Sequence, residues 1–90
     1  MEAISILVID DEQTICSGCR LTLSDENYSV DTCMTGRAGL DAALKGTYDV
    51  VLLDMKLPDM DGMDILRAVH KEKPGIFVIV MTGYSTVQNA

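Results

Sequence analysis

Asp10-Asp11-Glu12 follows the apolar run Ile4-Ser5-Ile6-Leu7-Val8-Ile9, and Asp54 follows Val50-Val51-Leu52-Leu53. Short, unbroken runs rich in valine, isoleucine and leucine suit strands buried on both faces, as in parallel sheets. In open α/β sheets, ligands bind at the carboxyl edge. If the two strands are parallel neighbours, Asp10, Asp11 and Asp54 meet at that edge. Three converging carboxylates repel one another, and at least one tends to take a proton. A hard divalent cation removes the conflict. Mg²⁺ takes oxygen ligands, one or two of them carboxylates, together with several waters and often phosphate oxygens. A third apolar run, residues 76–81, delivers Thr82-Gly83. Thr82 adds a hydroxyl, and Gly83 a backbone that a ligand can approach closely. Acids, a cation and a hydroxyl suit phosphoryl transfer better than acyl or hydride chemistry.

Plainer readings compete at each position. A single aspartate after a strand is most often a solvated turn residue, and Asp-Asp-Glu could simply cap the next helix. Two strand ends closed by acids and a third by Thr-Gly favour a site. Cys16-x-x-Cys19 has the spacing of a redox pair. It falls inside a helical pattern without a proline or aromatic partner, which favours packing. His70 lies in the polar stretch Val69-His70-Lys71-Glu72-Lys73 and reads as a solvated surface histidine. Met55, Met60 and Met63 surround the site loop as packing or lining.

The elements that must position these residues alternate. Strands are expected over residues 4–9, 28–33, 48–54 and 76–81, with helices over 13–25, 37–45 and 63–71. Asp11 or Glu12 can cap the first helix, whose inward stripe is Ile15, Cys19, Thr22 and Leu23. Leu40, Ala43 and Leu44 form the apolar side of the second helix, and Ile65, Leu66 and Val69 that of the third. Residues 28–33 are more polar and suit an edge strand. Thr35-Gly36, the loop Pro58-Asp59-Met60-Asp61-Gly62 and Pro74-Gly75 supply turn chemistry. Residues 85–90 read as the start of a fourth helix. Strands alternating with helices indicate a parallel sheet with helices on both faces and right-handed crossovers.

Ninety residues allow one domain, spanning 1–90. Fourteen acids against seven bases give a net charge of −7, which suits a cation or a partner with a basic surface. Without a basic patch or aromatic platform, direct nucleic-acid binding by this segment is not expected. No apolar stretch reaches the ~18 residues of a membrane span, and Met1-Glu2-Ala3 lacks the basic lead of a signal peptide. Cytoplasmic residence follows as the expectation. Three cysteines, an odd number, argue against a disulfide framework.

Taken together, Val8-Ile9-Asp10-Asp11-Glu12, Val51-Leu52-Leu53-Asp54-Met55-Lys56-Leu57-Pro58-Asp59-Met60-Asp61-Gly62 and Val80-Met81-Thr82-Gly83 resemble the receiver domain of bacterial two-component response regulators. Met81-Thr82-Gly83-Tyr84-Ser85 resembles receivers attached to sigma-54-type transcription activators. The resemblance covers the chain in order. It implies a flavodoxin-like doubly wound sheet with strand order 2-1-3-4-5; a receiver is one of the standard examples of that order. It implies that Asp54 is the phosphoacceptor, attacking the phosphohistidine of a sensor histidine kinase or phosphotransfer protein. Asp11 and Asp54 would hold Mg²⁺ directly, Asp10 through water, and the Lys56 carbonyl would be a further ligand. Thr82 would contact the phosphoryl group and move on activation, and Tyr84 would tune access. A C-terminal output domain and homodimer formation are further implied partners.

The chain departs from the family at its end. The rest of helix four, strand five and helix five have no counterpart, so the receiver is read as C-terminally incomplete. The phosphoryl-contacting lysine of strand five is among what is missing, since Lys45, Lys56, Lys71 and Lys73 all precede strand four. A chain ending there would leave strand four as a bare edge and Ile15, Cys19 and Leu23 uncovered, and is expected to associate. The main reading is a phosphorylatable switch with slow self-dephosphorylation, not a turnover enzyme. One alternative is an interaction module that keeps the fold without phosphorylation. Another is a Mg²⁺-dependent phosphatase with an aspartyl nucleophile, but that class wants an acid two residues on, where Lys56 stands.

Overall fold

The computed structural model describes residues 3–81. Within them the chain runs β1 (Ser5–Ile9), α1 (Gln13–Asp25), β2 (Ser29–Cys33), α2 (Gly36–Lys45), β3 (Val50–Asp54), α3 (Gly62–Glu72) and β4 (Phe77–Met81). Elements agree with the sequence reading to within two residues at every end. All strand pairs are parallel, in the order β2-β1-β3-β4. This is the order expected from the family resemblance as far as the described residues reach. The expected Thr82, Gly83, Tyr84 and fourth-helix start lie outside them.

Register does the positioning. Ile9 pairs with Leu53, and Asp54 with Met81. The next residue after Ile9 is Asp10, so the acids of β1 and β3 leave the sheet side by side. Alternate strand residues supply two separate cores. Leu7, Ile9, Val51 and Leu53 face α2 and α3, where they pack with Ala43, Ile65 and Val69. Ile6 and Val8 face α1 and pack with Cys16.

The second face differs from expectation. β3 was expected to be buried on both faces, yet Val51 and Leu53 are buried while Val50 and Leu52 are only half-buried. The reason is cover: two helices back the first face, and among the described residues α1 alone backs the other. β4 is the outer strand among the described residues, and Phe77 is 70% exposed. No helix among the described residues is long and apolar enough to cross a membrane.

The phase of α1 also differs. Cys16 is the buried residue of this helix, whereas Ile15 and Thr22 are exposed and Cys19 and Leu23 pack at the cluster margin. The helix begins so close to the β1 end that Cys16 turns under it, with its thiol donating to the Asp10 carbonyl at 3.2 Å. Ile15 is turned toward the sheet edge instead. The turn after α1 passes through Asn27, whose φ of 69° is one of the few left-handed conformations a non-glycine tolerates, asparagine best of all.

α2 crosses β1 at Gly39. A Cβ there would lie 2.6 Å from Cδ1 and Cγ2 of Ile9, which is itself fully buried. Gly39→Ala should gain up to ~1 kcal/mol of helix propensity and lose about 1–3 kcal/mol to overpacking. A net fall in the denaturant midpoint at constant m is expected. A rise would mean that α2 can withdraw from Ile9 without cost.

Candidate functional site

Oxygens of Asp10, Asp11 and Asp54 lie within 4.8 Å of one another at the carboxyl edge. They line a cleft of about 380 Å³ with Glu12, Ile15, Lys56 and Met81. The structure therefore brings together four of the five residues proposed from sequence, Asp10, Asp11, Asp54 and Lys56. The fifth, Thr82, lies outside the described residues. Hard carboxylate oxygens at this separation, on an open cleft, fit a small divalent cation with room for waters.

Each acid is held differently. Asp10 is 6% exposed, and its Oδ1 accepts from the Glu12 amide at 2.9 Å. Its pKa is raised above the ordinary 3.8 by burial first, then by the charges of Asp54, Asp11 and Glu12, with the Glu12 amide pulling the other way. Asp11 is exposed and Asp54 half-buried. Asp54 Oδ1 accepts from the Lys56 amide at 3.0 Å. Neither Asp11 nor Glu12 caps α1 through its side chain as expected. Glu12 occupies the cap position without a side-chain bond, and the carboxylate of Asp10 takes the local amide instead, as aspartates do two residues back from a turn.

The loop after β3 is fixed by two further acids. Asp59 Oδ1 accepts from the Gly36 amide at 2.8 Å, and its Oδ2 from the Arg37 amide at 3.0 Å. With Thr35 Oγ1 accepting from Ala38, the first three amides of α2 all have acceptors, which a helix start otherwise lacks. Asp61 caps α3 through the Met63 amide at 2.9 Å, and the backbones of Lys56 and Asp61 pair in an isolated antiparallel bridge across the loop. Sequence reasoning marked this loop as turn chemistry but missed that Asp59 serves a helix 22 residues upstream. Only the tertiary approach of α2 assigns that partner. The packing role favoured for Cys16 is borne out by its burial with Ile6 and Val8, but its bond to Asp10 carries no signal in residue type.

A parallel sheet in this order, with an acidic cleft at its carboxyl edge, defines a flavodoxin-like α/β protein. The response regulator receiver domain model matches residues 6–90, and the chain belongs to that family. Response regulator ArlR of Staphylococcus haemolyticus is 41% identical over 76 residues, 84% of this chain and 35% of the relative. This chain thus spans about a third of the length of the curated relatives it matches. A CheY-like receiver domain protein from Methanospirillum hungatei superposes with a TM-score of 0.90 at 34% identity, covering 98% of this chain and 70% of that one. TrrA of Thermotoga maritima, solved in complex with Mg²⁺-BeF, gives 0.85 at 34% identity over 91% of this chain and 71% of its own. TrrA has also been solved with the histidine kinase ThkA.

Two expectations follow from the electrostatics. A carboxyl with a raised folded pKa is protonated more readily folded than unfolded, so its ionised form opposes folding once pH exceeds the folded value. Asp10→Asn should therefore raise the melting temperature in cation-free buffer at pH 7. It should also diminish the stabilisation by added Mg²⁺, which for an intact site is about 1.4 kcal/mol at ten times the dissociation constant. Thermal unfolding with and without Mg²⁺ checks both signs; a lower melting temperature without cation would contradict the burial argument.

For Asp59 the sign reverses. The Gly36 and Arg37 amides hold its pKa below the ordinary 3.8, so its contribution is full above that value and is lost as pH falls through the lower folded one. The stability gap between wild type and Asp59→Ala should be constant above about pH 5 and shrink below pH 4. Urea midpoints across that range are the measurement, and a gap that widens on acidification would refute the assignment.

Proposed function

We propose that this receiver is an aspartyl-phosphate switch in which Asp54 accepts a phosphoryl group from the phosphohistidine of a sensor histidine kinase or phosphotransfer protein. The observation that carries the reading is the convergence of Asp10, Asp11 and Asp54 within 4.8 Å at an open cleft. The kinase complex of TrrA supports the choice of donor, and its Mg²⁺-BeF complex the choice of cation.

An oxygen of Asp54 attacks phosphorus, forming the acyl O–P bond as the N–P bond of the phosphohistidine breaks, and the electron pair departs with the imidazole nitrogen. The Lys56 amide occupies Oδ1 of Asp54 and so leaves Oδ2 as the nucleophile. Asp11 and Asp54 would hold Mg²⁺ directly, Asp10 through water, with the Lys56 carbonyl as a further ligand. When bound, the cation supplies neutralisation of the charge on the transferring phosphoryl oxygens. Ile15 and Met81 line the cleft beside the acids. Thr82, following Met81 directly, is assigned to contact the phosphoryl group rather than attack it.

The chain then works as a signalling switch rather than as an enzyme turning over a metabolite. The phosphoryl group stays on the protein until water slowly removes it. We place the switch in the cytoplasm, with transcription regulation through an output segment elsewhere in the full protein as the readout, in keeping with ArlR relatives of nearly three times the matched length.

The test is to incubate the full-length chain with an acyl-phosphate donor and Mg²⁺ and to map the modification by mass spectrometry. One phosphoryl group on Asp54 is expected, none in Asp54→Asn, and at least about a tenfold slower reaction in Asp11→Ala, as for loss of a metal-site group. Full labelling of Asp54→Asn would overturn the proposal.

A further inference from the structure

The peptide of Asp10 is held from three directions. Its amide donates to the Cys33 carbonyl at 3.1 Å, its carboxylate accepts from the Glu12 amide at 2.9 Å, and its carbonyl accepts from the thiol of Cys16 at 3.2 Å. The first bond joins two backbone groups, and the second needs only the side chain of Asp10 itself. The third depends on one side chain.

We infer that Cys16 is a positioning residue for the cation site: its buried thiol, by donating to the Asp10 carbonyl, fixes the turn 10–12 and with it the direction of the Asp10 carboxylate. This deepens the phosphoryl-switch reading and rests on it. Cys16 is 4% exposed and packs with Ile6 and Val8. A thiol suits that place because it is both a small hydrophobe and a weak donor. An alanine or valine would satisfy the packing alone. The Asp10 carbonyl would then be left in a dry setting without this donor, and buried carbonyls seldom remain unpaired. The nearest remedy is rotation of the turn, which swings the carboxylate that the carbonyl shares a residue with. Cys16 also ties the turn to α1 a second way, since its own amide donates to the Glu12 carbonyl at 3.1 Å. The thiol bond thus closes a small ring between the β1 end and the first turn of α1.

Packing alone and positioning predict different results for an apolar replacement of similar size and a smaller one that keeps a donor. Cys16→Val and Cys16→Ser are compared with wild type in the full-length chain, after urea unfolding shows both to be cooperatively folded. Mg²⁺ affinity is read by calorimetry, and Asp54 labelling by an acyl-phosphate donor is followed as a function of Mg²⁺. Cys16→Val should bind Mg²⁺ about tenfold more weakly, the lower end of what loss of a supporting bond at a metal site costs, while Cys16→Ser stays within about twofold. At saturating Mg²⁺ the labelling rate of Cys16→Val should return to the wild-type plateau, because the thiol touches neither nucleophile nor phosphoryl group. Val binding as tightly as wild type, Ser weakened as much as Val, or a plateau that stays low would each overturn the inference. A wild-type chain that binds Mg²⁺ and labels Asp54 while Cys16→Val behaves identically removes this inference alone. A wild-type chain that binds no Mg²⁺ removes the switch reading and the inference together.

Discussion

Mutual repulsion among Asp10, Asp11 and Asp54 is the constraint around which the rest of the molecule is arranged. Carboxylates held this close disfavour one another's charged form, and burial adds to that cost at Asp10. The chain compensates partly with its own backbone. The Glu12 amide serves Asp10 and the Lys56 amide serves Asp54. Neither bond removes a net charge, and Asp10 still has its pKa pushed up by burial and by its acidic neighbours. A divalent cation in the cleft would offset what remains.

The acids of this sheet edge divide by how their oxygens are used. Asp59 and Asp61 accept amides at the starts of α2 and α3 and thereby pin the loop that follows Asp54. Their charge is spent on helix ends, where it is welcome. Asp10, Asp11 and Asp54 each keep oxygen available toward the cleft. Similar residue types less than ten positions apart thus serve structure and site, and only the approach of a helix start separates them.

That division explains what was legible in the sequence. The apolar runs of β1 and β3, each closed by an acid, revealed the sheet, its parallel sense and the meeting of the three aspartates, because burial on strands acts locally on residue type. The phase of α1 was not legible. Ile15 outranks Cys16 in hydrophobicity, so a pattern reading turns Ile15 inward. The structure turns Cys16 inward because the short link from Ile9 fixes where the helix starts. The half-exposure of Val50 and Leu52 was likewise invisible, since it depends on how many helices cover a face rather than on the strand. The helix served by Asp59 could not be read either, since the two are brought together only by the packing of α2 against α3.

The two cores meet at the site. Asp54 continues the strand of Leu53, inside the larger cluster with Ile65 and Val69, and its loop is pinned to α2 and α3. Asp10 is tied through its carbonyl to Cys16, in the smaller cluster under α1. By strand alternation Asp10 falls with Val8 and Asp54 with Leu52, so both carboxylates lie on the α1 side of the sheet, while the loop after Asp54 is anchored to helices on the other. Among the described residues the larger cluster is backed by two helices and the smaller by one. The cleft therefore opens beside Ile15 on the side that α1 alone backs among the described residues, and the loop behind Asp54 is held from the side backed by two helices.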